Sequence, residues 1–186
     1  DENFAVYFAH PANMQDASKE IDPTKTYFTR EWGDNVDDWS SHNSPSRVAR
    51  NWGEQPMRVQ AQHYACPYYP VTSYDVLHKQ SPQHVGGCLW HSFDHQRGYH
   101  PDPFYGGLMD VFRQPKYSYY MFMAQRPAVK NDRNAGSGPM VYIAHEMTPF
   151  SGKDVTVYSN CDEVRLTFNK GGKTYTCLLY TSPSPR

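Results

Sequence analysis

The chain has 186 residues, with 18 basic against 19 acidic side chains and a formal net charge of −1. This suits one globular domain or pieces of two and excludes a polybasic nucleic-acid binder. Mean hydropathy is −0.81 and no run of 18 apolar residues occurs, so neither a membrane span nor the apolar stretch of a signal peptide is read here.

In chain order, Asn13 to Glu20 is polar with good helix formers and stops before Asp22-Pro23, which predicts a short helix. Thr26 to Arg30 is β-branched and aromatic and predicts a strand, broken at Glu31-Trp32-Gly33-Asp34. A carboxylate is thereby expected at a strand's C-terminal tip. Residues 34 to 53, rich in Asn, Asp, Ser and Trp without any period, predict a functional loop. Glu54 to Ala65 is helical in composition, with Pro56 in the first turn, and Tyr74 to Lys79 is a weaker helical piece. Val85 to Trp90 predicts a short buried strand. His91 to Phe104, carrying His91, His95 and His100 with Pro101 and Pro103, predicts a second long loop.

Lys116 to Arg126 predicts a helix after Pro115, with Tyr119, Tyr120 and Met123 giving a partly apolar stripe. Helix, strand and loop alternate up to this point, the signature of parallel α/β architecture with polar loops after each strand. The composition then changes. Asn131 to Gly138 is linker-like, and Met140–Ala144, Asp154–Tyr158, Val164–Phe168 and Lys173–Thr176 are short β-prone runs between turn residues. They predict the start of an antiparallel sandwich, about four strands where a sandwich needs about seven.

Leu, Ile, Val and Phe number 6, 2, 13 and 9, against 15 Tyr and 4 Trp. Aromatic rings bury large areas and keep polar edges, a mixture that fits a binding cleft better than a self-sufficient aliphatic core. Cys66, Cys88, Cys161 and Cys177 form no C-x-x-C pair, so a structural zinc site and a dense disulfide framework are both poorly supported. An opening at Asp1 without Met carries the expectation that the chain begins inside a longer protein. Cys177 to Arg186 resembles the conceptual translation of a transposase-type sequencing adapter, so residues 177–186 are expected to be no part of the natural protein.

Two elements can carry chemistry. In Thr29-Arg30-Glu31-Trp32-Gly33-Asp34, Glu31 stands where a parallel-barrel enzyme keeps catalytic groups, with Trp32 beside it. A structural pairing with Arg30 is the bland alternative, and this element alone leaves both open. Gly86-Gly87-Cys88-Leu89-Trp90-His91-Ser92-Phe93-Asp94 ends the next strand with an indole able to stack on the C–H face of a pyranose; its bland reading is a core Trp.

Taken with Gly106-Gly107-Leu108-Met109-Asp110, Phe112-Arg113-Gln114-Pro115-Lys116 and Val155 to Leu166, these segments resemble glycoside hydrolase family 2, specifically its β-galactosidase-like members. The resemblance covers nearly all of residues 13–176, with four motifs in the family's order. It implies the C-terminal part of a (β/α)₈ TIM barrel over residues 1–130, a linker at 131–138 and the beginning of an immunoglobulin-like sandwich at 139–176. It implies Glu31 as the nucleophile of retaining hydrolysis and Trp90 as lining the sugar subsite. Trp32, His63, His91, Asp94 and His95 are expected in the pocket on the weaker ground of lying near the strand ends or, for Trp32, beside the acid.

Retaining hydrolysis needs a second carboxyl about 5–5.5 Å from the first. In the family that acid follows an Asn before the nucleophile, and no such Asn-Glu pair precedes Glu31, so the acid/base Glu is expected outside this chain and the chain alone is expected to be inactive. The implied partner is an oligosaccharide or polysaccharide. No cofactor, metal, nucleic acid or membrane is expected, and a periplasmic or secreted location follows from the family alone. Two alternatives stand beside this reading. His91-x-x-x-His95 with Asp94 and His100 could hold a transition metal if helical, although Gly98, Pro101 and Pro103 argue for a loop. A non-catalytic carbohydrate-binding protein could use an aromatic-lined cleft and would not need Glu31.

Overall fold

The computed structural model describes residues 6–9, 24–32, 45–65, 83–96, 98, 101, 103–129, 138–167 and 174–178, with backbone alone given at 7–9, 27, 29–32 and 174–178. The helices read at Asn13–Glu20 and Tyr74–Lys79, most of the linker and the last eight residues lie outside them. By its contacts the chain divides into two units, Asp1–Ser118 and Tyr119–Arg186.

Three strands of the first unit, β1 (Val6–Ala9), β2 (Thr26–Trp32) and β3 (His84–Leu89), lie in the order β1-β2-β3 with both pairs parallel. Parallel neighbours need a crossover of a dozen or more residues, and the β2–β3 crossover holds α1 (Glu54–Ala65). Its buried residues Glu54, Met57, Gln60, Ala61 and Tyr64 recur every three to four positions, one face of a 3.6-residue period. Pro56 falls among the first four residues, whose N–H groups have no intrahelical acceptor.

β2 runs two residues beyond the predicted Thr26–Arg30 and takes Glu31 and Trp32 into the strand. The extension comes from pairing: Trp32 lies in register with Leu89 of β3, and strand propensity is largely a response to such neighbours. The register slips twice. Tyr27 pairs with His84 and Phe28 with Gly86, then Thr29 with Gly87 and Trp32 with Leu89. Between the last two pairs Arg30 and Glu31 together oppose Cys88, a bulge-like irregularity of the kind that re-aims side chains at barrel rims and active sites. A Cβ at Gly86 would come 2.9 Å from the Phe28 ring, so any larger residue there needs that ring to move.

The interior of this unit is part apolar, with Val48, Ala49, Met57, Ala61, Tyr64, Phe104 and Tyr117, and part polar, with Ser46, Gln60, His84, Asp94, Lys116 and Ser118 all buried. The thin aliphatic content of the sequence is thus matched by a polar centre.

The helix expected at Lys116–Arg126 is shorter, α2 (Tyr117–Met123), and the boundary between the units falls inside it. Lys116 is held out because its N–H bonds the Leu108 carbonyl at 2.9 Å. At the other end Gln125 and Arg126 donate to Phe122 and Met123, three residues back, which tightens the chain into a turn before Pro127.

In the second unit β4 (Val141–Ala144) and β5 (Thr156–Ser159) form one antiparallel ladder, and β6 (Glu163–Thr167) and β7 (Thr174–Leu178) another. β7 extends past Thr176, so Cys177 and Leu178 pair with Val164 and Glu163. Ala144 is fully buried. The Asn160 side chain donates to the Gly138 carbonyl at 3.1 Å and accepts from the Met140 N–H at 2.8 Å, fastening the approach to β4. Tyr120 and Tyr142 stack with centroids 3.4 Å apart and planes 6° from parallel. Among the described residues no helix is long and apolar enough to cross a membrane.

Candidate active site

Glu31 is the penultimate residue of β2 and Trp32 its last. Because Trp32 is in register with Leu89, the last residue of β3, Trp90 begins the chain leaving the adjacent strand. The backbone therefore brings Glu31 and Trp90 to the same end of neighbouring parallel strands, the carboxyl ends, where open and closed α/β sheets place their ligands.

Past β3 the chain does not become helical. The Trp90–His91 peptide is cis, and residues 91–95 then run beside 104–109. Asp94 donates from its N–H to the Met109 carbonyl (2.9 Å), and His95 and Phe104 exchange N–H to carbonyl bonds at 3.1 and 2.7 Å. Leu108 donates to His91 at 3.2 Å and Met109 to Ser92 at 3.1 Å. This approach needs glycine on the opposite side. A Cβ on Gly107 would lie 2.3 Å from the Asp94 nitrogen, and one on Gly106 2.7 Å from His91 Nε2.

Four rings gather on this platform. His91 and His95 meet edge to face at 4.7 Å, Trp90 lies 5.1 Å from His91 and 6.0 Å from His95, and Phe104 lies 5.5 and 5.8 Å from the two imidazoles. The Arg47 guanidinium sits 3.7 Å over the Phe104 ring. His91 Nδ1 lies 2.8 Å and His95 Nδ1 3.3 Å from the Phe93 carbonyl. A carbonyl only accepts, so the proton belongs on Nδ1 in each bond. Trp90 and His95 are partly exposed, whereas His91 is buried. His63 is carried on another element, the last turn of α1, with its ring edge-on to Tyr64 at 5.8 Å. Residues 91–95 are not helical, and among the described residues no group of three or more His, Cys, Asp or Glu could hold a metal ion. His100 lies outside those residues.

Asp94 is built inward. Its Oδ1 accepts the Gly107 N–H at 2.9 Å and the Lys116 ammonium at 2.7 Å, and the two side chains are 2% and 0% exposed. Lys116 Nζ also donates to the Val48 carbonyl at 2.5 Å and the Tyr105 carbonyl at 2.9 Å. Three N–H donors thus meet three acceptors, which keeps the buried ammonium satisfied. Burial pushes the Asp94 carboxyl up from its ordinary value, opposed by the Lys116 charge and by the hydrogen bonds from Lys116 and Gly107. Burial pushes the Lys116 ammonium down, opposed by Asp94.

Beside this pair Gln60 of α1 donates to the Ser46 and Gly107 carbonyls at 2.9 and 3.4 Å and accepts from Ser118 Oγ at 2.7 Å. Sequence reasoning gave Lys116 and Gln60 no role. Each had a signal: Lys116 closes a quoted motif, and Gln60 is an amide on the otherwise mostly apolar stripe of α1.

A parallel sheet carrying an acid and an indole at the ends of neighbouring strands is an arrangement suited to glycoside hydrolysis, and glycosidases are what the chain is similar to. Over 125 residues, 54% of this chain and 16% of the other, it is 28% identical to a β-galactosidase of Thermoanaerobacter pseudethanolicus (strain ATCC 33223 / 39E). The resemblance to β-galactosidase-like members of glycoside hydrolase family 2 therefore holds for the sequence as well as for its motifs. No protein-family model matches. Among solved structures, a Parabacteroides merdae β-glucuronidase with glycerol in its active site aligns with 87% of this chain and 20% of its own, at 21% identity and a TM-score of 0.45. Bacteroides uniformis β-glucuronidase 3 aligns with 84% and 22%, at 20% identity and a TM-score of 0.44.

Proposed function

We propose that this chain is part of a retaining exo-acting glycosidase that removes β-linked galactosyl residues from an oligosaccharide or polysaccharide, with Glu31 as nucleophile and Trp90 as the platform under the sugar. The observation that carries the proposal is the register between β2 and β3, which sets Glu31 and Trp90 at adjacent carboxyl ends of a parallel sheet. The T-R-E-W-G-D and G-G-C-L-W motifs and the β-galactosidase relative support the same assignment. On this reading the three parallel strands belong to a (β/α)₈ barrel and the two ladders to a following immunoglobulin-like sandwich, and the parent enzyme works in the periplasm or outside the cell.

The chemistry is double displacement. A Glu31 oxygen attacks the anomeric carbon while a second carboxylic acid, supplied from outside this chain, protonates the departing oxygen; that acid then draws a proton from water as water opens the glycosyl ester and frees Glu31. The test is made in the full-length enzyme. Glu31→Gln should lower kcat on an aryl β-galactoside by on the order of 10⁴-fold or more, and a slow 2-fluoro glycoside should leave a covalent adduct on the Glu31 peptide. Sugar binding retained without turnover is the expected companion result. Unchanged turnover, or an adduct on any other side chain, overturns the assignment and leaves a carbohydrate-binding role to be tested.

A further inference from the structure

We propose that Asp94 and Lys116 are positioning residues of the proposed glycosidase, a buried ion pair that touches no sugar and acts by fixing where Trp90 and His95 stand. The proposal rests on the reading above and goes beyond it, since sequence reasoning put Asp94 in the pocket and gave Lys116 nothing to do.

Exposures of 2% and 0% leave neither side chain a face to offer a ligand. What they do contact is the framework. Through one ammonium, Lys116 joins Val48 in the segment after β2, Asp94 and Tyr105 in the segment after β3, and its own position at the entry to α2. Asp94 returns a second tie to the Gly107 N–H, which leaves the strip 104–109 no freedom to slide along 91–95. The rings of His91 and His95, close to Asp94 in sequence, lean on Phe104 of that strip, and Trp90 in turn meets both imidazoles edge-on. A shift of Asp94 is thus a shift of the sugar platform.

Stability alone does not account for a pair so buried. Two charges taken out of water cost about as much as their attraction returns, and well-packed apolar side chains of similar volume often serve as well or better. A charged pair with three fixed acceptors does specify one geometry, and misplacing a catalytic group by about 1 Å can cost on the order of 10²-fold in rate.

The double variant Asp94→Leu/Lys116→Met in the full-length enzyme separates the two roles. It should melt within a few degrees of the wild type, yet lose at least tenfold in kcat/KM on an aryl β-galactoside. If the double variant does not fold, Asp94→Glu provides the reading: it keeps both charges while moving the carboxylate by one methylene, and should lose at least tenfold at a near-native melting temperature. Recovery of wild-type kcat/KM in either folded variant overturns the proposal and leaves the pair purely structural, with the glycosidase reading intact. A wild-type enzyme without activity on aryl β-glycosides, or a Glu31→Gln variant that keeps it, overturns the glycosidase reading and this proposal together.

Discussion

Around Lys116, four segments distant in sequence meet through charged and amide side chains that water does not reach; around Tyr142, neighbours meet through a two-strand ladder, an asparagine fastening and a ring stack. The first arrangement fails as a whole, because removing one charge of the ion pair leaves the other buried without its counter-charge. The second fails in pieces, because its ladder, its asparagine bonds and its ring stack contain no buried charge that must keep a counter-charge. The segments joined in the first unit lie outside its parallel strands, whose ladders do not hold them, so they depend on the first kind of joint. An antiparallel ladder needs only the second.

The sharpest way to break this contrast is Lys116→Met alone, which strands the Asp94 carboxylate. It should destabilise the first unit by about 3–5 kcal/mol, seen as lost hydrogen-exchange protection across residues 91–116 of the full-length protein. Gly107→Ala comes next. Its Cβ would meet the backbone at Asp94 and Met109, not a movable side chain, and about 1–3 kcal/mol or more should be lost with the same pattern of exchange. In the second unit Asn160→Ala removes two side-chain bonds to backbone and should cost about 1–2 kcal/mol, with exchange rising only near residues 138–142. Should Asn160→Ala cost more than Lys116→Met, the contrast is wrong.

The smallest effect is a pH dependence. Lys116 has a folded value below its unfolded 10.5, so between the two the unfolded chain binds the extra proton and stability rises with pH. Asp94 has a folded value above its unfolded 3.8, so there the folded chain binds the extra proton and stability falls as pH rises. Asp94→Leu/Lys116→Met removes both slopes. The melting temperature of that variant minus that of the wild type should peak near neutral pH and decline toward 3.8 and toward 10.5. A flat difference would mean that burial leaves both groups at their ordinary values.

Periodicity and punctuation were enough to place α1 at Glu54–Ala65, to find β2, β3 and the later strands within two residues at most ends, and to expect parallel pairing from the alternation of elements. They were enough because an amphipathic stripe, a β-branched run and a Pro or Gly act over a few residues, within the reach of sequence reading. The roles proposed for Glu31 and Trp90 likewise rest on local motifs. The inward turn of Asp94 was not, nor the partner that waits for it 22 residues on in Lys116, nor the glutamine of α1 that ties Ser46 to Ser118. An aspartate in a His-rich loop reads the same whether it faces a sugar or an ammonium. Only the folded chain decides, because burial and a set of three acceptors arise from segments that the sequence keeps far apart.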